Sequence, residues 1–594
     1  MAKEKIELTI DGQIVSVEKG TTILEACRQV GIKIPTLCHL DEVSSHGSCG
    51  ICVVEIKNSK RLVRSCTGIA LPGMEVTTNS ERIRSSRKLN LELILANHPL
   101  ECLSCERNLN CELQNLAKQL GVKESRFQRT KKKLIPLDWS SSSLVRDPNK
   151  CILCNRCVEV CAQVQSVHAI DIAGRGLGSK VSTFLDKGLG YSVCTNCGQC
   201  SLVCPTGAIV ERSHIEEVFK DISNPELFTI VQTAPAIRVG IGEAMGMPYG
   251  ALVTGQMVAG LRRLGFYKVF DTQFAADLTI MEEGHELIKR IQEGGTLPMI
   301  TSCSPGWIKY IEHFYPEQLD HLSTCKSPQQ MFGAIAKTFY AKQAGLDPRK
   351  IRVVSIMPCT AKKFEAGRNE MDGAFDFWKE ELKADESERF ADVDYALTTR
   401  ELASMFKRVG IEFSSLPDEN FDNPLGSSTG AAVIFGATGG VMEAALRTAY
   451  EVLTKKSLSS IDFMDVRGME GIKEATVMIG EMPLKVAVAH SLSHAKKLME
   501  QINNKTSPYA FIEVMACPGG CLGGGGQPIP TNSEIRKKRA ESIYLEDSNY
   551  AIRKSHENPS IRALYEEFLT HPLGERSHHL LHTSYTKRGE YGPF

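Results

Sequence analysis

Two thiols stand four positions apart in Cys517-Pro518-Gly519-Gly520-Cys521, after the apolar run Phe511, Ile512, Val514, Met515 and before four consecutive glycines. Paired cysteines in a glycine-rich loop at the end of a buried segment suit a metal group. Glycine takes positive φ without strain and lets the backbone approach something bulky. A structural loop with two buried cysteines is the competing reading. Two more segments weigh against it: Thr301-Ser302-Cys303-Ser304-Pro305-Gly306-Trp307, and Met357-Pro358-Cys359-Thr360-Ala361-Lys362-Lys363-Phe364-Glu365.

The chain has 21 cysteines, and most fall in tight C-x2-C groups. The N-terminus, MAKEKIELTI, has neither the apolar core of a secretory signal nor a twin-arginine motif, so a cytoplasmic protein is expected. A reducing compartment disfavours disulfides and favours metal ligation. Zinc and iron–sulfur clusters both use thiolates, and spacing separates them.

Cys38, Cys49, Cys52 and Cys66 follow a C-x10-C-x2-C-x13-C spacing, with Gly47 and Gly50 between ligands. A β-grasp domain holding a [2Fe–2S] cluster fits this pattern, although the spacing is not that of plant ferredoxins. It resembles the N-terminal domain of the large iron–sulfur subunit of respiratory complex I; Cys27 falls outside the motif and reads as core. His98, Cys102, Cys105 and Cys111 form H-x3-C-x2-C-x5-C, a candidate [4Fe–4S] site in which a neutral imidazole replaces one thiolate. Cys151, Cys154, Cys157 and Cys161 make C-x2-C-x2-C-x3-C, and Cys194, Cys197, Cys200 and Cys204 repeat it. In this two-cluster ferredoxin pattern the fourth cysteine of each run serves the other cluster. One [4Fe–4S] cluster is therefore expected on Cys151, Cys154, Cys157 and Cys204, and the other on Cys194, Cys197, Cys200 and Cys161.

The elements that must carry these groups are legible in outline. Residues 5–18 read as a hairpin turning at Asp11-Gly12. Thr21 or Thr22 can cap the next helix. Residues 81–97 read as a helix with Ile83, Leu89, Leu91, Leu93 and Leu95 on a mostly apolar face. Residues 122–150 are polar and basic, and the Lys131-Lys132-Lys133 run reads as solubilising, with an acidic partner surface as the sharper alternative. Beyond residue 225 cysteines thin out. The apolar runs at 228–231, 298–300, 351–356 and 484–489 look like buried strands of a parallel sheet, alternating with helical patterns at 252–265 and 329–343. The tail from Tyr544 is helical, then polar and His-rich, and is expected to pack on its own domain or a partner; a metal tract is the alternative.

The three late motifs together resemble the cluster-binding motifs of [FeFe]-hydrogenases, and the resemblance covers almost the whole chain. It implies an H-cluster: a [4Fe–4S] cubane joined through one cysteine to a two-iron unit bearing CO, cyanide and a dithiolate amine. Cys359, Cys517 and Cys521 would be cubane ligands, with Cys521 bridging. Lys362 would hydrogen-bond a cyanide, Pro235 and Ala236 would lie near the other, Met357 and Met515 would pack on the diiron unit, and Glu365 would support from one layer out. The family often has two adjacent cysteines where this chain has Cys303-Ser304. Placed without a gap, Ser304 takes the ligand position and Cys303 the proton-relay position. Because a cubane favours thiolate, the expectation is that Cys303 is the ligand and that Ser304 or water is the relay. A proton path through Glu286, Ser323 and Glu283, anchored by Arg290, is implied as well. Without the resemblance Glu282, Glu283 and Glu286 would read as a solvated helix face, and Cys325 as core.

The expected fold is multidomain α/β plus α+β: a β-grasp [2Fe–2S] domain at 1–80, a [4Fe–4S] domain with one histidine and three cysteine ligands at 81–140, a two-cluster ferredoxin domain at 141–220 and an α/β H-cluster domain with its tail at 221–594. Lys+Arg and Asp+Glu both total 70, which gives no basic excess for nucleic acid. No run of about 18 apolar residues is present to span a membrane. The expected function is reversible H2 oxidation and proton reduction. Four accessory clusters, one [2Fe–2S] and three [4Fe–4S], would carry electrons to ferredoxin and to NAD(P). No convincing flavin or dinucleotide motif is visible (Gly240, Gly242 and Gly246 stand too isolated), so nicotinamide chemistry would sit on a flavin-containing subunit and a small [2Fe–2S] subunit, in an electron-bifurcating arrangement. A free-standing ferredoxin-dependent hydrogenase is the runner-up. A non-catalytic iron–sulfur sensor, assembly factor or electron-transfer subunit comes from a different class.

Overall fold

The computed structural model describes residues 4–43, 45–127, 134–458, 460–479 and 482–589; the Lys131-Lys132-Lys133 run lies outside them. The expected hairpin forms between Lys5–Ile10 and Gln13–Glu18, with Asp11 and Gly12 both at positive φ, as a tight two-residue turn requires. It belongs to a five-stranded sheet ordered Gln13–Glu18, Lys5–Ile10, Glu75–Thr77, Val53–Ile56, Val63–Arg64. Thr22 caps the helix Ile23–Gln29 in a reciprocal capping box with Glu25. Cys27 is fully buried in this domain's core, as the sequence suggests.

The helix Glu81–Leu95 is capped by Ser80. Its buried stripe is Ile83, Arg87 and Leu91, spaced by one helical turn, whereas Leu89 and Leu93 are exposed. The apolar face expected from the sequence was too wide. A short antiparallel pair, Leu144–Arg146 with Ile209–Glu211, closes the two-cluster module, and a hairpin of Asp171–Ala173 and Lys180–Ser182 lies between its cysteine runs.

The large domain is built on two four-stranded sheets. In the first, Lys268–Asp271, Phe228–Thr233, Ile351–Met357 and Tyr395–Thr398 run parallel throughout. In the second, Met299–Ile300, Phe511–Met515 and Met482–His490 are parallel, and Ile472–Ile479 adds an antiparallel edge. Every residue of Phe511–Met515 is buried, as a strand covered on both faces should be. The carboxyl ends of Phe228–Thr233, Met299–Ile300, Ile351–Met357 and Phe511–Met515 feed directly into the segments that carry Pro235, Cys303, Cys359 and Cys517. Open parallel sheets place ligands at such ends. No described helix is long and apolar enough to cross a membrane.

Candidate active site

The strand ends surround a cavity of about 80 Å³. Its wall carries Pro235, Cys303, Ser304, Met357, Cys359, Lys362, Met515, Cys517 and Cys521. Ala236 does not line it; it is fully buried behind Pro235, its carbonyl accepting from Gln527 Nε2 at 3.2 Å. Lys362 Nζ donates to Glu365 Oε2 at 2.9 Å and to the Cys303 carbonyl at 3.1 Å. An ammonium has three N–H donors, so one remains for an acceptor inside the cavity. Glu365 also accepts from Ser327 and Gln329, which fixes the lysine's anchor.

The donor set fits a cubane joined to a diiron unit. Burial pushes the Cys359, Cys517 and Cys521 thiols up, Cys521 to about 12, so in the bare fold they are neutral and gain ligand character only when a metal displaces their protons. Met357 and Met515 supply soft apolar contact. Gln329 brings a buried carbonyl oxygen without a partner to the same wall.

The glycines beyond Cys521 work differently from expectation. A Cβ on Gly524 would stand 2.1 Å from the Pro358 carbonyl oxygen, one on Gly525 2.2 Å from that of Cys197, and one on Gly526 2.7 Å from Thr398. The four-glycine run seats its loop against three other segments, those of Pro358, Cys197 and Thr398, and that seating gathers the thiols. It also joins the site to the two-cluster module, whose Gln199 donates to the Gly523 carbonyl at 2.8 Å. Cys197 lines both the active-site cavity and a second cavity bounded by Cys161, Cys194 and Cys200. Cys151, Cys154, Cys157 and Cys204 bound a third. The crossed grouping inferred from the repeat is thus the spatial one. Farther out, the Cys111 thiol donates to the Pro205 carbonyl at 3.5 Å, and a Cβ on Gly207 would meet Cys105 Sγ at 2.7 Å. His98 sits just past the end of its helix, with its backbone N–H on Leu95. In the N-terminal domain the Cys52 and Cys66 sulfurs lie 3.2 Å apart, and Cys38 hydrogen-bonds Cys49 and Cys66.

Glu282, Glu283 and Glu286 are all buried on the helix Thr272–Glu293, which overturns the solvated-face reading. The C-terminal segment provides the cover. Tyr565, the Leu573 N–H and His582 all bind Glu282. The tail packs on its own domain, with the Lys326 N–H on the Leu581 carbonyl and a bridge between Cys325 and His582. Ser323 Oγ donates to Glu286 Oε2 at 2.8 Å, and Arg290 Nη2 holds Glu286 Oε1 at 2.6 Å while also donating to the Leu322 carbonyl. The Thr324 N–H adds a third donor to Glu286 that sequence reasoning missed. Cys325 is core, with its thiol 3.8 Å from Glu286. Both Glu283 oxygens are buried without a partner in hydrogen-bonding geometry. Burial first, and then the charge of Glu286, push its carboxyl up to about 8, against a small downward pull from Ser323 and the Ser302 backbone. Glu286, Ser323 and Glu283 therefore form an inward sequence, with Arg290 outermost.

At the inner end of the path stand Cys303 and Ser304. Cys303 is the neighbour of Glu283, while the Ser304 hydroxyl accepts from the Ala516 N–H at 3.2 Å, next to Cys517. Both residues line the cavity, with different neighbours: Glu283 for Cys303 and Ala516 for Ser304.

A buried cavity of thiols wired to cysteine clusters defines an iron–sulfur oxidoreductase. Residues 228–525 match the iron-only hydrogenase large subunit, C-terminal domain, and 533–588 the iron hydrogenase small subunit. Residues 3–81 match a 2Fe-2S iron-sulfur cluster binding domain, 87–126 the NADH-ubiquinone oxidoreductase-G iron-sulfur binding region and 150–208 a 4Fe-4S dicluster domain. The chain is 49% identical to the NADP-reducing hydrogenase subunit HndD of Solidesulfovibrio fructosivorans, over 98% of this chain and 99% of that one. It is 40% identical to iron hydrogenase 1 of Clostridium pasteurianum, over 98% and 100%. An apo [FeFe]-hydrogenase structure from Chlamydomonas reinhardtii matches with TM-score 0.56 at 42% identity, covering 64% of this chain and 100% of that one. The chain belongs to the [FeFe]-hydrogenases: an oxidoreductase acting on H2, with iron–sulfur domains of the [2Fe–2S] and [4Fe–4S] kinds.

Proposed function

We propose that this chain is the catalytic subunit of a complex that interconverts H2 with protons and electrons, exchanging those electrons with ferredoxin and with NAD(P) through partner subunits. The observation that carries the reading is the buried path from Arg290 and Glu286 through Ser323 and Glu283 to Cys303, ending on the cavity that Cys359, Cys517, Cys521 and Lys362 line. The H-cluster, when bound, would supply the redox change and the iron chemistry that makes or splits H2. Cys359, Cys517 and Cys521 would hold it, Cys521 as the bridge, with Lys362 as cyanide donor.

Glu286 collects a proton where Arg290 fixes its carboxyl, and Ser323 Oγ passes it to Glu283. Glu283, protonated up to about pH 8, can give and regain a proton near neutrality. Met357, Met515 and Pro235 keep water out of the cavity. Electrons reach it past Cys197, from the site of Cys161, Cys194, Cys197 and Cys200. The sites of Cys151, Cys154, Cys157 and Cys204, of His98, Cys102, Cys105 and Cys111, and of Cys38, Cys49, Cys52 and Cys66 extend the relay outward, for four accessory clusters and domain boundaries near residues 80, 140 and 220. The name of the 49%-identical relative, an NADP-reducing hydrogenase subunit, supports an NADP-linked complex, and the absence of a convincing flavin or dinucleotide motif in this sequence would put flavin and a small [2Fe–2S] cluster on its partners.

The test is infrared spectroscopy of anaerobically matured protein with H2 evolution assayed alongside. Iron-bound CO and cyanide bands with turnover are expected, and their absence in a cluster-replete sample would refute the site assignment. Copurification of flavin-containing subunits is expected; a lone chain that turns over with ferredoxin alone would refute the complex.

A further inference from the structure

We infer that the fourth corner of the active-site cubane is held by the Ser304 oxygen, so that this cluster takes three sulfur ligands and one oxygen ligand from the chain. The presence of the cubane rests on the reading above; the choice of residue rests on local geometry. Ser304 has extended backbone, φ −103 and ψ 98, at the start of the helix Pro305–Phe314. Both residues line the cavity, but neighbouring side chains of extended chain diverge, so Cys303 and Ser304 cannot both hold the same corner of the cubane.

Ser304 is the one that does. Its Oγ accepts from the Ala516 N–H at 3.2 Å, beside Cys517. Serine at a helix N-cap normally uses its hydroxyl to cap the helix, yet Ser304 makes no such bond. The oxygen is turned toward the strand end instead. A Cβ on Gly306 would stand 3.1 Å from the Ala516 Cβ and 3.6 Å from the Cys197 Cβ, which seats the whole turn between Cys517 and the adjoining accessory site. Cys303 stands at a different part of the cavity wall. It packs against the cluster of Met515 and Phe435, its carbonyl is held by Lys362, and burial followed by the Glu283 charge push its thiol up.

Ligation exchanges the Ser304 O–H bond for an O–Fe bond; the proton leaves to solvent and no electron moves. Oxygen is a harder donor than thiolate, so the iron at this corner is the one most readily lost. Full-length protein carrying its iron–sulfur clusters but not the diiron unit is oxidised with ferricyanide and followed by electron paramagnetic resonance. Intact [2Fe–2S] and [4Fe–4S] clusters are silent when oxidised, so a three-iron product stands alone.

The wild type is expected to give this signal, and Ser304→Cys to reduce it at least about fivefold. His98→Cys, which removes the other non-thiolate corner, is expected to retain it. Cys303→Ala and the milder Cys303→Ser are expected to keep both the signal and the iron content. No signal in the wild type, an unchanged signal in Ser304→Cys, or the loss of about four iron atoms per chain in both Cys303 variants would overturn the inference. Missing CO and cyanide bands after maturation would undo the hydrogenase reading and leave this result standing.

Discussion

Replacing Glu286 by glutamine should make Glu283 a stronger acid. Raising a glutamate from 4.5 to about 8 corresponds to about 5 kcal/mol at about 1.4 kcal/mol per pH unit. Burial is the larger cause and the Glu286 charge the second. Two carboxyls divided by one hydroxyl stand about 5–6 Å apart, where unit charges interact by about 3 kcal/mol at an effective dielectric constant of about 20. Arg290, 2.6 Å from Glu286, cancels part of this and stays behind in the variant, which also favours ionised Glu283. A fall of roughly one pH unit, from about 8 to about 7, is expected. The assay is a pH titration of the protonated-carboxyl stretch in infrared difference spectra, assigned by the band that disappears in Glu283→Gln. A midpoint that stays or rises in Glu286→Gln would refute the coupling between the two carboxyls. The same group bears on stability. Its folded-state value is raised, so its contribution is fully present below about pH 4.5 and is lost as pH rises through about 8. Glu283→Gln should flatten the decline in thermal midpoint between about pH 4.5 and about pH 8.

Lys362→Met removes a charged donor worth about 1.5–3 kcal/mol, and the matured protein should retain its CO- and cyanide-bearing unit roughly 10- to 100-fold less well, read from infrared band intensity per chain. Gly525→Ala forces a methyl group to within 2.2 Å of the Cys197 carbonyl oxygen; the loops must part at a cost of about 1–3 kcal/mol, and reduction of the active site by dithionite-reduced ferredoxin should slow while the accessory clusters still reduce. His98→Cys adds a negative charge at its cluster, so the potential of that cluster alone should fall in a redox titration. His582→Ala leaves Glu282 with two of its three partners in a buried setting and should lower the thermal midpoint, by about 1–3 kcal/mol of stability.

The cysteine frameworks were legible because ligand spacing is a local property: the crossed grouping of Cys161 and Cys204 could be inferred from one repeat. The hairpin at Asp11-Gly12 and the buried strand Phe511–Met515 were legible for the same reason. What stayed hidden depends on chain far away in sequence. Glu282 and Glu286 look like surface residues until Tyr565, Leu573 and His582 arrive from some 300 positions downstream to cover them. Leu89 and Leu93 are apolar yet exposed, because the helix buries the Ile83–Arg87–Leu91 stripe instead, Leu91 against Leu37, Ile51, Leu113 and Leu116. The facing of Cys303 and Ser304 is a matter of backbone direction, which chemical preference for thiolate does not fix.

The crossed cavities have a consequence for how the protein is made. Cys151, Cys154 and Cys157 leave the ribosome long before Cys204, and their cavity is open until Cys204 arrives. Cys161 must likewise wait for Cys194, Cys197 and Cys200. Neither site can be closed on a nascent chain that stops between the two runs. A chain truncated between the runs would keep Cys151, Cys154 and Cys157 of one site and Cys161 alone of the other, and could close neither.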